Sequence, residues 1–296
     1  MNLTQMRMFH AAVRSGTFTA AAQLLGVSQP AVTQQIRGLE EELGVKLFVR
    51  KGASIELTPS GAEFEAQAAR IVRLTDLVEQ SFAAQRDLAA GGISIGVCSP
   101  YLIMPTIRAF SARHPSFRVG VFQGNSKDLV DGLLEYKWDL AMVTMKAPDA
   151  RFTCTPLAEQ QIRIIVPVSH PWGTRQRLAP ADLAEVPLII REEGSMTRDL
   201  FEDGMRAAGA VHDAARIFNS REAVKEAVAS GLGVGIVLSQ EVGFDSRLRA
   251  LPIEGPDFSA TEYLICLPDF ARTRPIREFI AVAGEVFGDG RDEPRC

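Results

Sequence analysis

Cysteine is scarce and scattered: Cys98, Cys154, Cys266 and Cys296 are the four in 296 residues, and no two form a CxxC pair. That spacing supplies neither a zinc knuckle nor a disulfide framework, so no metal site is expected. Histidine is equally sparse. His10, His114, His170 and His212 lie far apart with no HExxH and no triad spacing, so an enzyme, the first rival reading, has no recognisable catalytic residues. Cys98 precedes a helix start but has no recognisable histidine partner, and a strand-end cysteine is more often a small buried residue. No apolar run reaches the roughly 18 residues of a membrane span. The N-terminus, MNLTQMRMFHAAVRSG, has polar residues inside its apolar stripe where a signal peptide is continuously apolar, so a cytoplasmic protein is expected. Positive charge is not in excess either. The formal charge of −4 argues against coating nucleic acid by phosphate neutralisation, so a DNA site has to be local and specific.

What is present is a chain 46% hydrophobic and 23% charged, with charges breaking the apolar stretches, as in soluble multidomain proteins. Its length predicts two or three compact units. Residues 1 to 58 hold short helical patterns. A long helical stretch then runs from Pro59 to about Ala90, where Gly91 and Gly92 end it. In it Phe64, Ala68, Ile71, Leu74 or Thr75, Val78 and Phe82 recur at steps of three and four, an apolar stripe suited to packing on the chain's own core or to pairing two chains. From Ile93 short apolar strands alternate with helices, which indicates an α/β domain.

The first fifty residues divide into a helix with Met6, Phe9, Ala12 and Val13, a second starting near Thr17 with Ala20, Ala21 and Leu24, and a third over Gln29 to Leu43. Gly26 permits the turn between the last two, Val27 is expected to plug the core, Ser28 to cap the third helix, and Pro30 to sit in its first turn. Val32, Ile36 and Leu39 or Leu43 form its buried face. Gln29, Thr33, Gln34 and Arg37 project opposite. Glutamine pairs with adenine and arginine with guanine, so that face suits a major groove.

The segment FHAAVRSGTFTAAAQLLGVSQPAVTQQIRGLEEELGVKLFVRKGASIELTPSG resembles the N-terminal signature of the LysR-type transcriptional regulators. The resemblance implies a winged helix-turn-helix over 1–58, a linker and dimerisation helix over 59–90, and an α/β effector domain over 91–296 like the periplasmic binding proteins. The first subdomain of that domain would hold 91–162 and 268–296, the second 163–267, with crossovers near 160–168 and 262–269. By position, Ser28, Gln29, Pro30, Thr33, Gln34 and Arg37 correspond to the recognition helix, and Arg50 and Lys51 to a wing near Lys46 to Leu57. Gln34 stands where the family often has arginine, and Ala53 and Ser54 where the wing is often basic, which implies a shallow salt dependence. The implied partners are double-stranded operator DNA, a small-molecule inducer, further copies of the chain in a dimer or tetramer, and RNA polymerase. No cofactor beyond the effector is implied.

A cleft ligand is expected where strands end and helices begin. Ser99 precedes a helix and is a cap candidate, followed by Tyr101. Gly124, Asn125 and Ser126 follow a strand, as does Thr144. The segment REEGSMTR offers Glu192 and Glu193 for an ammonium group, Gly194 for close approach, Ser195, Met196 and Thr197 for a helix start, and Arg198 for bidentate hold on a carboxylate or phosphonate. Arg221 opens another helix. These residues suit a small anion such as an amino acid or aminophosphonate. GLGVG at 231–235 follows a helix and lacks the rest of a dinucleotide fingerprint, so it reads as a tight turn. The alternatives are a DNA-binding repressor without a ligand and a solute-binding protein.

Overall fold

The computed structural model describes residues 1–52, 54–85, 91–184 and 186–289. Ala53, the rest of the expected linker helix and Cys296 lie outside them. Two compact units result: Met1–Gly91 with Glu135–Lys137, and the remainder from Gly92.

In the first unit α1 (Leu3–Ser15), α2 (Phe18–Leu25) and α3 (Gln29–Leu43) lead into a hairpin of β1 (Phe48–Lys51) and β2 (Ser54–Leu57), then α4 (Pro59–Gln85). The starts are fixed by side chains. Asn2 and Gln5 form a reciprocal capping box on α1, and Thr17 and Ser28 accept from the amides of Ala20 and Ala31. Gly26, at φ 66°, ends α2 in a left-handed conformation that suits glycine. Phe9, Leu39 and Leu47 are fully buried among Met6, Ala68 and Val72, while Met8, Ala12, Ala21, Val32 and Ile36 form a second cluster.

Several expectations are corrected here. Val27 is 39% and Leu24 63% exposed, and α2 packs on the core through Phe18, Ala21 and Ala22 instead. Leu39, not Leu43, completes the buried face of α3. The stripe of α4 splits: Ala68 and Val72, four apart, pack on the core with Phe64, whereas Ile71 and Val78 face outward. The side chain of Phe82 lies outside the described residues.

The second unit contains β3 (Gly92–Val97), α5 (Pro100–Arg113), β4 (Arg118–Gln123), α6 (Ser126–Leu134), β5 (Leu140–Met145), β6 (Thr153–Pro167), β7 (Pro187–Arg191), α7 (Met196–Ala207), β8 (Asp213–Phe218), α8 (Arg221–Ala229), β9 (Val234–Leu238), β10 (Leu248–Pro252), β11 (Ser259–Cys266), α9 (Pro268–Ala271) and α10 (Arg274–Asp289). The strands form one sheet in the order β4-β3-β5-β11-β6-β9-β7-β8, with β10 also on β6. Pairing is parallel within β4-β3-β5 and within β9-β7-β8, and antiparallel where β11 and β6 join the two halves. Each half is a lobe. In the second, Ile162, Ile164, Leu188, Ile190 and Ile236 pack with Leu200 and Phe201 of α7, while Ile165, Ile189 and Val237 pack with Val224 and Val228 of α8. Strands buried on both faces have to be apolar at successive positions, which is why these read as apolar runs.

The returning strand differs from expectation. β11 pairs with β5 over Thr261–Ile265, so it joins the first lobe's ladder at Thr261, near the start of the crossover expected at 262–269 and earlier than a boundary at 267.

Candidate DNA-reading face and interlobe pocket

Burial of Val32, Ile36 and Leu39 turns the opposite side of α3 outward. Gln29, Pro30, Gln34 and Arg37 are exposed there with Ser28 at the cap, and Thr33 is half-buried beside them. The Thr33 hydroxyl donates to the Gln29 carbonyl at 3.1 Å and accepts from Gln29 Nε2 at 2.8 Å, which orients that amide. Arg37 Nε donates to Glu41 at 2.8 Å, one turn on. On the hairpin Arg50 and Lys51 are exposed, and Lys51 Nζ donates to Glu56 at 2.9 Å. Two of the expected phosphate-binding cations are thus held by the chain's own carboxylates.

Glu40 is a structural residue that sequence reading passed over. It accepts from the amides of Leu47 and Phe48 at 2.9 and 3.3 Å and from Lys46 Nζ at 2.6 Å. Burial opposes its ionisation, but these donors hold its carboxyl below the usual range. The hairpin therefore starts from a fixed point on α3.

In the second unit a cavity of about 10 Å³ lies between the lobes. Asn125, Ser126 and Thr144 line it from the first lobe, and Ser195, Met196 and Thr197 from the second, six of the eleven expected effector residues. Cys98, Gly124, Arg191, Leu238 and Glu241 line it as well. The N-termini of α6 and α7 converge here. Asn125 Oδ1 caps α6 by accepting from Asp128 N at 2.9 Å, the Ser195 side chain makes no cap bond, and Lys127 N donates to the Gly194 carbonyl at 3.2 Å to hold the two turns together. Two helix starts make this end of the pocket attractive to anions, and the Arg191 guanidinium beside them is paired with Glu192.

The other five expected residues are placed differently. Arg198 does not line the cavity and donates to Glu202, its i, i+4 partner on α7, at 2.7 Å. Glu193 is exposed, and Glu192 is claimed by Arg191, whose Nε and Nη2 lie 2.8 and 3.0 Å from its oxygens. Ser99 makes no cap bond to α5. Its hydroxyl instead donates to Glu241 Oε1 and accepts from Arg221 Nη1, both at 2.7 Å. Tyr101 donates to the Gln240 carbonyl at 2.5 Å, and the Arg221 guanidinium lies 4.8 Å from its ring centre. Ser99, Tyr101, Arg221 and Glu241 thus form a latch between the lobes beside the cavity. A lone glutamate in a turn carries no sequence signal for such a role, which is why Glu241 was missed.

Two buried carboxylates lie at or next to the pocket: Glu241 lines it, and Glu262 accepts from Thr144 of the lining. Burial, and the charge of Glu241, push Glu262 up to about 7 despite the bond from Thr144. Burial and the Glu262 charge push the Cys98 thiol up to about 12, and its sulfur lies 3.2 Å from Ser126 Oγ. Burial also raises Cys154 and takes Cys266 to about 12. No group of metal-binding side chains occurs among the described residues, and no described helix is long and apolar enough to cross a membrane.

Two family models match the chain: "Bacterial regulatory helix-turn-helix protein, lysR family" over residues 3–62 and "LysR substrate binding domain" over 86–288. The regulator CbbR of Xanthobacter flavus is 33% identical over 260 residues, covering 86% of this chain and 78% of that protein. A probable hydrogen peroxide-inducible genes activator of Mycobacterium avium is 29% identical, covering 97% and 89%. Among solved structures, a full-length OxyR variant from Pseudomonas aeruginosa shares the fold with TM-score 0.79 at 23% identity, covering 96% and 95%. CbnR in complex with its target DNA does so with TM-score 0.69 at 24% identity, covering 97% and 100%. With both family models matched across nearly its whole length, this chain belongs to the LysR family of transcriptional regulators, DNA-binding proteins with an effector-binding domain and not enzymes.

Proposed function

We propose that the chain reads an operator through residues 1–58, assembles as a dimer or tetramer through the linker helix of 59–90, and is switched by a small anion bound between the lobes of the domain from 91 onward. It works in the cytoplasm and acts on RNA polymerase from its operator. The exposed row Gln29, Gln34 and Arg37 on a helix whose other face is core carries the DNA reading, with Arg50 and Lys51 beside it. Mobility shift on DNA from upstream of its own gene tests it: Arg37→Ala loses affinity and discrimination among operator bases, and an unchanged shift removes Arg37 from the interface.

The effector reading rests on the convergence of two helix N-termini, Arg191 and the hydroxyls of Ser126, Thr144, Ser195 and Thr197 on one cavity. Amino acids and aminophosphonates are the first compounds to titrate by calorimetry, with Arg191 in the anion-binding role and Glu241 in the ammonium-binding role first given to Arg198 and Glu193. Absence of binding by any of them, or binding that Ser195→Ala leaves intact, argues against this assignment. A ligand-independent repressor would show no ligand-induced rise in melting temperature with any metabolite pool.

Some relatives are named for hydrogen peroxide. Cys98 and Cys266 favour a different input, since burial pushes each thiol up to about 12 and so keeps it protonated at neutral pH. Peroxide treatment is expected to leave operator affinity unchanged.

A further inference from the structure

Arg191 and Glu192 are consecutive, yet their side chains meet. Consecutive residues of an extended strand point to opposite faces, so the pair forms only because β7 ends at Arg191 and the chain turns there. Arg191 Nε and Nη2 donate to Glu192 Oε2 and Oε1 at 2.8 and 3.0 Å, a two-pronged hold on one carboxylate. The two side chains are 12% and 21% exposed, so the pair is largely withdrawn from solvent. Asn125, which lines the cavity together with Arg191, faces the same carboxylate from the first lobe. Burial opposes ionisation of Glu192, but Arg191 and Asn125 hold it below the usual carboxylate range.

The carboxylate is the movable part of this pair. Glu192 N donates to the Phe218 carbonyl at 3.2 Å and the Glu192 carbonyl accepts from Ser195 N at 3.3 Å, so the main chain is pinned while the side chain can rotate toward solvent. Glu222 also feels the Arg191 charge, but Arg221 Nε already donates to it at 2.8 Å. Once Glu192 leaves, Arg191 presents two N–H groups beside the starts of α6 and α7. A ligand that takes both needs two oxygens at the spacing of a carboxylate, which an oxyanion has and a halide lacks.

We propose that Glu192 is a built-in competitor of the effector: its carboxylate occupies the Arg191 and Asn125 groups that an oxyanion, a carboxylate or a phosphate, takes on binding, and it swings out as the ligand enters. The inference rests on the pocket being the effector site and says how that site is regulated. Every effector then binds against a tethered rival of fixed effective concentration. Only a ligand that adds charge, or further contacts to Ser126, Thr144 and Ser195, displaces it, so Glu192 sets both the threshold and the selectivity of the pocket.

The test uses the full chain at about pH 7.5, where Glu192 is ionised, with acetate and inorganic phosphate as probes and sodium chloride holding the ionic strength constant. Affinity is read from melting temperature against probe concentration, each variant referred to its own value without probe. Glu192→Gln is expected to bind at least one probe roughly ten- to a hundredfold more tightly than the unaltered protein, as removal of a charged hydrogen-bonding rival predicts, and the probe that gains more identifies the preferred head group. Glu202→Gln removes the same charge from the other arginine pair of this segment and leaves affinity unchanged, since Arg198 does not line the cavity. Adding Arg191→Met to Glu192→Gln abolishes the gain. No gain in Glu192→Gln, an equal gain in Glu202→Gln, or a gain that survives Arg191→Met overturns the competitor. Equal binding by the unaltered protein and Glu192→Gln that Ser195→Ala weakens leaves the pocket reading standing while the competitor falls. Binding that ignores both Arg191→Met and Ser195→Ala places the ligand elsewhere and sinks the pocket reading as well. Glu192→Ser, read in the same way, decides where the glutamine variant fails to fold.

Discussion

The Arg221 guanidinium lies 3.0 Å from the Glu241 carboxylate, with each residue 5% exposed. Arg221 reaches Ser99 and the Cys98 carbonyl from the second lobe, so the pair closes the lobes on each other. Removing one partner leaves a buried charge unmatched. Glu241→Ala is expected to cost about 3–5 kcal/mol by urea unfolding, and Arg221→Met combined with Glu241→Leu to recover much of it.

Glu262 makes stability depend on pH. Its ordinary value of 4.5 is raised to about 7 on folding. Between those values the folded chain keeps a proton that the unfolded chain has lost, so stability falls as pH rises through that window and levels off above it. The full effect is on the order of 3 kcal/mol. Thermal melts from acid to alkaline pH, taken as wild type minus Glu262→Gln, should show this downward step. A flat difference refutes it.

On α3, Glu41 restrains Arg37. An exposed pair of this kind adds at most about 1 kcal/mol to stability. Its larger effect falls on DNA. Glu41→Gln frees the guanidinium and removes a repulsive charge, so operator affinity should rise and the salt slope steepen by about one phosphate contact. Arg37→Ala should cost about 1–3 kcal/mol of binding.

At the start of α4 the helix backbone meets the strand lead-in. A Cβ on Gly61 would sit 2.1 Å from the Leu47 carbonyl oxygen, an atom also held by Thr58 N at 3.0 Å. Backbone on both sides cannot yield cheaply. Gly61→Ala is expected to destabilise the first unit by at least about 1–3 kcal/mol in chemical denaturation and to weaken operator binding without touching a DNA-facing group.

How far the sequence carries can be seen at particular residues. The bounds of α3 and the exposure of Gln34 and Arg37 follow from periodicity and from Ser28 and Pro30, which are local signals. The α/β domain was legible as alternating strands and helices, and its two subdomains were implied by the family resemblance. The latch was not. Ser99 and Glu241 are 142 positions apart, and a serine before a helix reads as a cap whenever its distant partner is invisible. Arg198 and Arg191 look equivalent on either side of one loop. Each is paired with a carboxylate, Arg191 with Glu192 and Arg198 with Glu202, and only the fold shows that Arg191 lines the pocket. Gln160 of β6 and Glu262 of β11 become a pair only through strand register.

β6 runs fifteen residues without a break, pairing with β11 along its first part and with β9 and β10 along its second. The lobes are therefore joined by a continuous beam, not by a slack tether. Such a beam is stiff to stretching and yields to torsion, so admitting a molecule at the pocket has to turn one lobe about the axis of β6 and β11. Displacement then grows with distance from that axis. A small turn at the pocket becomes a longer stroke at the helices farthest from it, so β6 and β11 act as the axle of a lever.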